Sequence, residues 1–485
     1  MKFIDSGDTA WVLASSALVL LMTPGVAFFY GGMVRVKSVL NMMMMSIGAM
    51  ATIGVVWVLW GYSESFGTSW HGLVGNPFQH FGLSNLLSGQ QAIYGFVPAQ
   101  AAVPAHGAVA AVAAVPAHGG IPAMAFVAFQ AVFAIITVAL ISGAIADRAK
   151  YSTWMVFTVI WATVVYFPVA NWVFSFNGFS SPRGGWISNQ LKAIDFAGGT
   201  AVHINAGAAA LALALVLGKR VGFGKDPMRP HNLTLVMLGA ALLWFGWFGF
   251  NAGSALTAGN SASVVWVNTM VATSAACIGW LATERIRNGR ATSLGAASGI
   301  VAGLVAITPA CSAVTPLGAV AIGLIAGAVC AMAISMKFRL GFDDSLDVVG
   351  VHLVGGIVGT LSIGFFASAS APAAVDGLFY GGGVDQLWRQ AVAAGAVLVY
   401  SFTLAALIGL ALHKTMGFRV DQDAEVSGID IEEHAETSYD LGSFGNGGGV
   451  LAHAGAALFG SQTSNSTATS STASSGTSNR QGASS

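Results

Sequence analysis

The chain has 485 residues, with 20 Lys and Arg balanced by 20 Asp and Glu. It is 55% hydrophobic and only 8% charged, whereas soluble domains average about 25% charged. That balance excludes a water-covered globular protein and offers no basic patch for nucleic acid, so a bilayer is the remaining solvent for the apolar surface.

A helix needs about 20 apolar residues to cross hydrocarbon. Eleven runs qualify in chain order: 10–33, 40–62, 121–145, 153–175, 197–218, 232–253, 262–283, 291–309, 313–336, 347–368 and 388–412. The first ends in YGGMVRVK rather than a small-residue cleavage site, so it is read as a span and not a leader. With the N-terminus outside, 15 of the 20 basic residues fall in inner loops and four outside. The split favours N-outside, C-inside and an odd number of spans. The stretch 97–120 carries VPAHG twice, at Val103–Gly107 and Val115–Gly119, and reads as a low-complexity outer loop. Its His106 and His118 can ligate a metal, although loop residues without one are the plainer reading. Residues 461–485 are Ser/Thr/Gly-rich and read as disordered. Cys277, Cys311 and Cys330 show no metal spacing and read as packing residues.

Two of the ten histidines fall inside apolar runs: His203 in GGTAVHINAG and His352 in DVVGVHLVGG. They sit in the fifth and tenth runs, one directed inward and the other outward. An inverted repeat of five helices, with one helix added at the end, produces that pattern. An ionisable residue in a membrane helix is costly and usually faces a cavity or the bundle interior. Hydrogen-bonded packing is the alternative, and it is weaker for two residues at matching positions. The surrounding glycines let backbones approach, and two neutral imidazoles can then share a proton. Asp195 lies eight residues before His203 and Asp347 five before His352. Either carboxylate can cap a helix start; Asp195 can instead favour a cation at a pore entrance.

Aromatic residues cluster in Phe126–Arg148 and Leu243–Ala255. Phe129 and Phe133 share a helix face, and so can Trp247, Phe250 and Ser254. Ordinary membrane packing is one reading. The other is a cation–π cage in which Ser254 accepts a hydrogen bond from a small cation, while Phe133 and Phe250 close the path to water.

Several strings, in order, resemble the ammonium transporter family (Amt/Mep/Rhesus). They are GDTAWVLASSALVLLMTPGVAFFYGGMVR, FQAVFAIITVALISGAIADR, DFAGGTAVHINAG, PHNLTLVMLGA, WFGFNAGSA and DVVGVHLVGGIVGT. The string GFRVDQDAEVSGIDIEEHAETSYD is similar to the cytoplasmic C-terminal region of bacterial and fungal Amt proteins. The resemblance covers roughly residues 8–440. It implies an all-α integral membrane fold of eleven transmembrane helices as inverted five-helix repeats plus one, in the cell membrane, assembled as a homotrimer. It divides the chain into a transmembrane domain (1–412), a cytoplasmic regulatory region (413–440) and a disordered tail (441–485). His203 and His352 match the twin pore histidines, Phe133 and Phe250 the stacked gate, and Ser254 with Phe129 the outer recruitment site. Asp195 matches the aspartate near that site. One departure is Phe174 in YFPVANWVF, where the family often has tryptophan; either the outer site is weaker or Trp186 substitutes.

The expectation is a transporter of ammonium or ammonia, not an enzyme. Ammonium is recruited outside and deprotonated, and ammonia passes along the histidines. No cofactor, metal or nucleotide motif is expected; the Gly-rich Tyr380–Val384 string lacks the strand–helix setting of a phosphate loop. A PII-type regulator is a partner implied only by the resemblance. The competing readings are an ammonium sensor whose transport is incidental, signalling through 413–440, and a related gas channel for carbon dioxide.

Overall fold

A computed structural model describes residues 3–87, 93–95 and 118–439. Most of the 97–120 stretch and all of 441–485 lie outside the described residues. Among those described, ten helices are long and apolar enough to cross a membrane. They are α1 (Ser6–Met33), α2 (Val36–Phe66), α3 (Ala123–Ile145), α4 (Tyr151–Phe174), α5 (Gly199–Leu217), α6 (Leu233–Gly253), α7 (Asn260–Asn288), α9 (Pro316–Leu340), α10 (Val349–Phe366) and α11 (Asp385–Thr415). Between α7 and α9 lies a shorter apolar helix, α8 (Ser293–Ile307). Its fifteen residues reach about 22 Å, and Pro309 follows, where a missing N–H cannot continue the ladder. The only strands among the described residues are two antiparallel pairs, Ser69–Trp70 with Val74–Gly75 and Ile93–Tyr94 with Ile121–Pro122. The fold is all-α.

The helices start where side chains satisfy free N–H groups. Asp5 caps α1, Asn232 caps α6, Thr292 caps α8 and Thr315 caps α9. The tightest pairing is α1 against α6, and α7 packs on both α8 and α9. Trp57, Trp154, Trp161, Trp247 and Trp280 are fully buried between helices. Large lipid-side residues such as Val55, Phe245 and Val399 stay exposed, as expected where hydrocarbon is the solvent.

One end of the bundle is held by charge. The Arg220 guanidinium bridges Asp147 at 3.0 Å and Asp343 at 2.9 Å. Arg148, fully buried, donates to the Ala144 and Asp343 carbonyls and to the Ser345 hydroxyl. Burial pulls the Arg148 guanidinium down to about 10, against the opposing pull of Asp343, so it remains charged at neutral pH. Burial alone would raise the Asp343 carboxyl, but Arg220 and Arg148 outweigh it and hold it below its usual range.

Two short helices, α12 (Gln422–Ser427) and α13 (Ile429–His434), dock on the same end. Asp430 accepts the N–H groups of Leu40 and Asn41 at the start of α2. Glu433 accepts that of Tyr151 at the start of α4, and Glu425 accepts that of Val221 beyond α5. The segment after α11 thus supplies acidic caps to the starts of α2 and α4, far away in sequence, where the helix dipole favours a negative charge.

Candidate functional site

The site is built from the starts of α5 and α10, the middle of α3 and the end of α6. Both α5 and α10 begin with a wide, π-helical turn, Gly199–Ile204 and Val349–Leu353. Such turns recur at functional sites because they re-aim side chains. In the first, the His203 N–H reaches back to the Gly198 carbonyl at 3.0 Å. Gly198 has φ 121°, which disfavours any residue with a Cβ.

A carboxylate organises each turn. Asp195 accepts from the N–H groups of Gly198, Gly199, Thr200 and Ala201 and from the Thr200 hydroxyl. Asp344 accepts from the N–H groups of Val348 and Val349 at 3.1 and 2.7 Å. Both stand eight residues before their histidine. The sequence expectation for Asp347 is therefore corrected: its carboxylate pairs with Lys337 at 2.6 Å, and Asp344 does the capping. The equal spacing before the two histidines was the available signal.

The two histidines meet in the interior. Their Nδ1 atoms lie 3.3 Å apart, and they are 1% and 3% exposed. The rings are nearly parallel, with centroids 5.3 Å apart. Close backbone approach makes this possible: a Cβ on Gly207 would fall 2.5 Å from the Leu353 nitrogen. Trp247 lies nearly parallel to His203, with ring centroids 5.4 Å apart, oriented by its Nε1–H bond to the Thr308 hydroxyl at 2.8 Å. A shared Nδ1 contact requires one ring to donate and the other to accept.

Around the pair runs a narrow cavity of about 10 Å³, lined by apolar groups including Val26, Ile136, Leu243 and Phe250 as well as both histidines. That is room for about one water-sized molecule. At one end Phe133 and Phe250 stack face to face, 4.1 Å apart and 18° from parallel. Phe133 also borders a wider chamber of about 230 Å³, with Phe129, Phe174, Phe196, Gln130 and Ser254 among its lining residues. The Ser254 hydroxyl donates to the Phe250 carbonyl at 2.9 Å, which leaves its lone pairs to accept from a guest. Asp195 and Ser254 both line a second chamber of about 390 Å³ alongside.

Eight of the nine sequence-selected residues line the wide chamber, the stack or the narrow cavity, and Asp195 lines the chamber alongside. Phe129, Phe174 and Ser254 line the wide chamber, Phe133 and Phe250 form the stack, and His203 and His352 line the narrow cavity. Trp247 is not part of the chamber with Ser254; it lines the histidine cavity. Trp186 does not replace the missing tryptophan. It packs on Trp172, which meets Tyr400 at a tilt and donates to the Leu73 carbonyl. Phe174 instead meets Phe133 edge-on at 6.2 Å. Sequence reasoning passed over Gln130, whose place between Phe129 and Phe133 on α3 was the available clue.

The site and the helices define a multi-pass membrane protein with an apolar, histidine-lined cavity in its interior. Comparison with known proteins gives the family. Residues 10–439 match the Ammonium Transporter Family. An ammonium transporter of Mycobacterium tuberculosis (strain ATCC 25618 / H37Rv) is 61% identical over 446 residues, covering 90% of this chain and 91% of that protein. An ammonium transporter of Aquifex aeolicus (strain VF5) is 44% identical, covering 90% and 94%. Among solved structures, a Sensor Amt Protein aligns with a TM-score of 0.76 at 29% identity, over 88% of this chain and 98% of that one. Saccharomyces cerevisiae Mep2 aligns at 0.72 and 32% identity, over 87% and 88%. The chain belongs to the ammonium transporter family: it is a transport protein rather than an enzyme, and it carries ammonium or ammonia across a membrane.

Proposed function

We propose that ammonium is recruited in the chamber beside Ser254, loses a proton before the phenylalanine stack, and crosses as ammonia past the paired histidines. The observation that carries this reading is the sequence of environments along one path. A chamber with a hydroxyl acceptor gives way to stacked rings, and these to a cavity with room for about one small molecule. An unsolvated cation is costly in such a cavity, and ammonia is not. Phe129 and Phe133 present ring faces to the cation, with Phe174 in the place where the resemblance implies tryptophan. Asp195 stabilises the entry to α5 with both oxygens, and its charge acts on the approaching cation from behind that turn. The released proton passes along His203 and His352.

We infer further that the chain crosses eleven times, N-outside and C-inside, as two inverted repeats and a last helix. Pairings recur between the halves: α1 on α3 and α6 on α8, α2 on α3 and α7 on α8, α2 on α4 and α7 on α9. The chain following α1, α3, α5, α9 and α11 converges at the end held by Arg220 and Asp430. Leu294, just after α7, borders a cavity there with Phe223, so α8 starts from that end and α9 returns to it. Trp70→Cys should label with an impermeant maleimide in intact cells, and Lys225→Cys only after permeabilisation; the opposite result refutes the orientation. The domain division (1–412, 413–440, tail), the homotrimer and a PII-type regulator at the inner loops rest on the resemblance.

The deciding experiment is current from proteoliposomes after an ammonium pulse, with potassium as control. Saturable ammonium current without potassium current supports deprotonation with a proton relay. Internal alkalinisation without current means a passive ammonia channel, and neither signal from folded protein moves the reading to a sensor.

A further inference from the structure

The second chamber, of about 390 Å³ beside the start of α5, carries charge: Asp195 and Lys192 both line it, with four serines among the other lining residues. The two charges are not equivalent. The Asp195 oxygens are both engaged by the N–H groups and the Thr200 hydroxyl at the start of α5. Lys192 is exposed, and its ammonium pairs with no carboxylate among the described residues. The neighbouring cation, Arg389, is held by Asp385 at 2.8 Å and donates to the Leu191 carbonyl. Lys192 is thus the unpaired charge on the chamber wall, and its sign is that of the substrate.

The backbone adds a second observation. Lys192 has φ 58° and ψ 36°, a left-handed conformation that opposes a Cβ and that glycine adopts freely. The turn needs that conformation, because the N–H groups of Lys192 and Ala193 both close on the Ile187 carbonyl before the chain reaches Asp195. A residue held in strain at a chamber wall, where glycine would be relaxed, directs attention to its side chain. We infer that Lys192 is a charge filter on this chamber. It lowers the local concentration of cations, and it acts on valence: a divalent ion meets twice the repulsion that ammonium meets. This inference rests on the transport reading above and adds a specificity-determining residue to it. Across a serine-lined chamber of this size, in a dielectric near that of water, one unit charge changes the occupancy by a monovalent cation about threefold and by a divalent one about ninefold.

The test compares purified wild type, Lys192→Gln, Lys192→Gly and Lys192→Glu by calorimetric titration with ammonium chloride. Ionic strength is set at about 10 mM and at about 1 M, between which the Debye length falls from about 30 Å to about 3 Å. At low salt the glutamine and glycine variants should each lower Kd about threefold and the glutamate variant about ninefold; at high salt all four proteins should converge. The inhibition constant of magnesium against ammonium should fall about ninefold in Lys192→Gln. An unchanged Kd in Lys192→Gln, a shift that survives high salt, or magnesium gaining no more than ammonium overturns the inference. So does an effect confined to Lys192→Gly, which would belong to the relaxed turn and not to the charge. Should Lys192→Gln fail to fold, the glycine and glutamate variants decide the charge effect by the same salt dependence. Ammonium uptake by the same preparations in proteoliposomes separates the two readings. Binding without uptake in wild type sinks the transport reading alone, because the Kd ratios still decide Lys192; neither binding nor uptake sinks both.

Discussion

At the scale of single residues, the chemistry concentrates where burial and polarity conflict. His203 touches only His352 Nδ1, Trp247 and apolar neighbours, so nothing else nearby can take over its proton. His203→Ala should leave the fold intact, since it only enlarges a small cavity, and should reduce ammonium-evoked current to background. Wild-type current in that variant, measured on a solid-supported membrane, would refute the relay. The histidines and phenylalanines were legible because ionisable or aromatic residues at matching helix positions are rare without a cause. The role of Asp344 was not, because Asp347 is nearer to His352 in sequence. Only the folded loop shows that Lys337 takes Asp347 and that the backbone N–H groups of α10 take Asp344.

At the scale of elements, the spans follow from apolar length and their ends from caps. All eleven expected runs begin within four residues of the observed helices, and the boundary differences come from polar residues that still fit a helix, as in the basic last turn of α7. The short α8 departs from its expected length, since composition marks apolarity but not where the ladder stops. The segment holding α12 and α13 is an element whose contacts no local pattern shows. Asp430→Asn leaves one acceptor oxygen for two N–H groups of α2, at a cost of about 1 kcal/mol. Limited proteolysis of the protein in detergent should then cut residues 417–434 faster than in wild type. Equal rates would mean that the remaining contacts, Glu433 with Tyr151 and Glu425 with Val221, hold the segment alone.

At the scale of the whole molecule, the end bearing Arg148, Arg220, Asp147 and Asp343 fastens loops from three parts of the chain. The Asp343 carboxyl is held below its usual range: burial acts against ionisation, and Arg220 and Arg148 outweigh it. For an acid whose folded value is depressed, the stabilisation is fully present above the unfolded value of about 3.9. It is lost as pH falls through the lower value in the folded protein. Melting temperature in detergent should therefore fall below about pH 4. Asp343→Asn should lower the melting temperature already at pH 7, through a loss of about 3–5 kcal/mol of stability for a buried guanidinium left with one partner fewer, and should flatten the acid dependence. An unchanged acid profile in that variant would assign the lability to other carboxylates.

The sequence by itself determined the solvent, the helical class and the polar residues placed inside apolar runs. These depend on composition and on periodicity along one helix, which is local information. Only the tertiary structure decided which ring meets which, that Trp247 belongs with His203 and not with Ser254, and that Asp344 rather than Asp347 caps its turn. It also decided that Gln130 shares a chamber with Ser254. Those outcomes depend on how closely separate helices approach, and a side chain's partner across that gap is fixed by three-dimensional packing rather than by its neighbours in the chain.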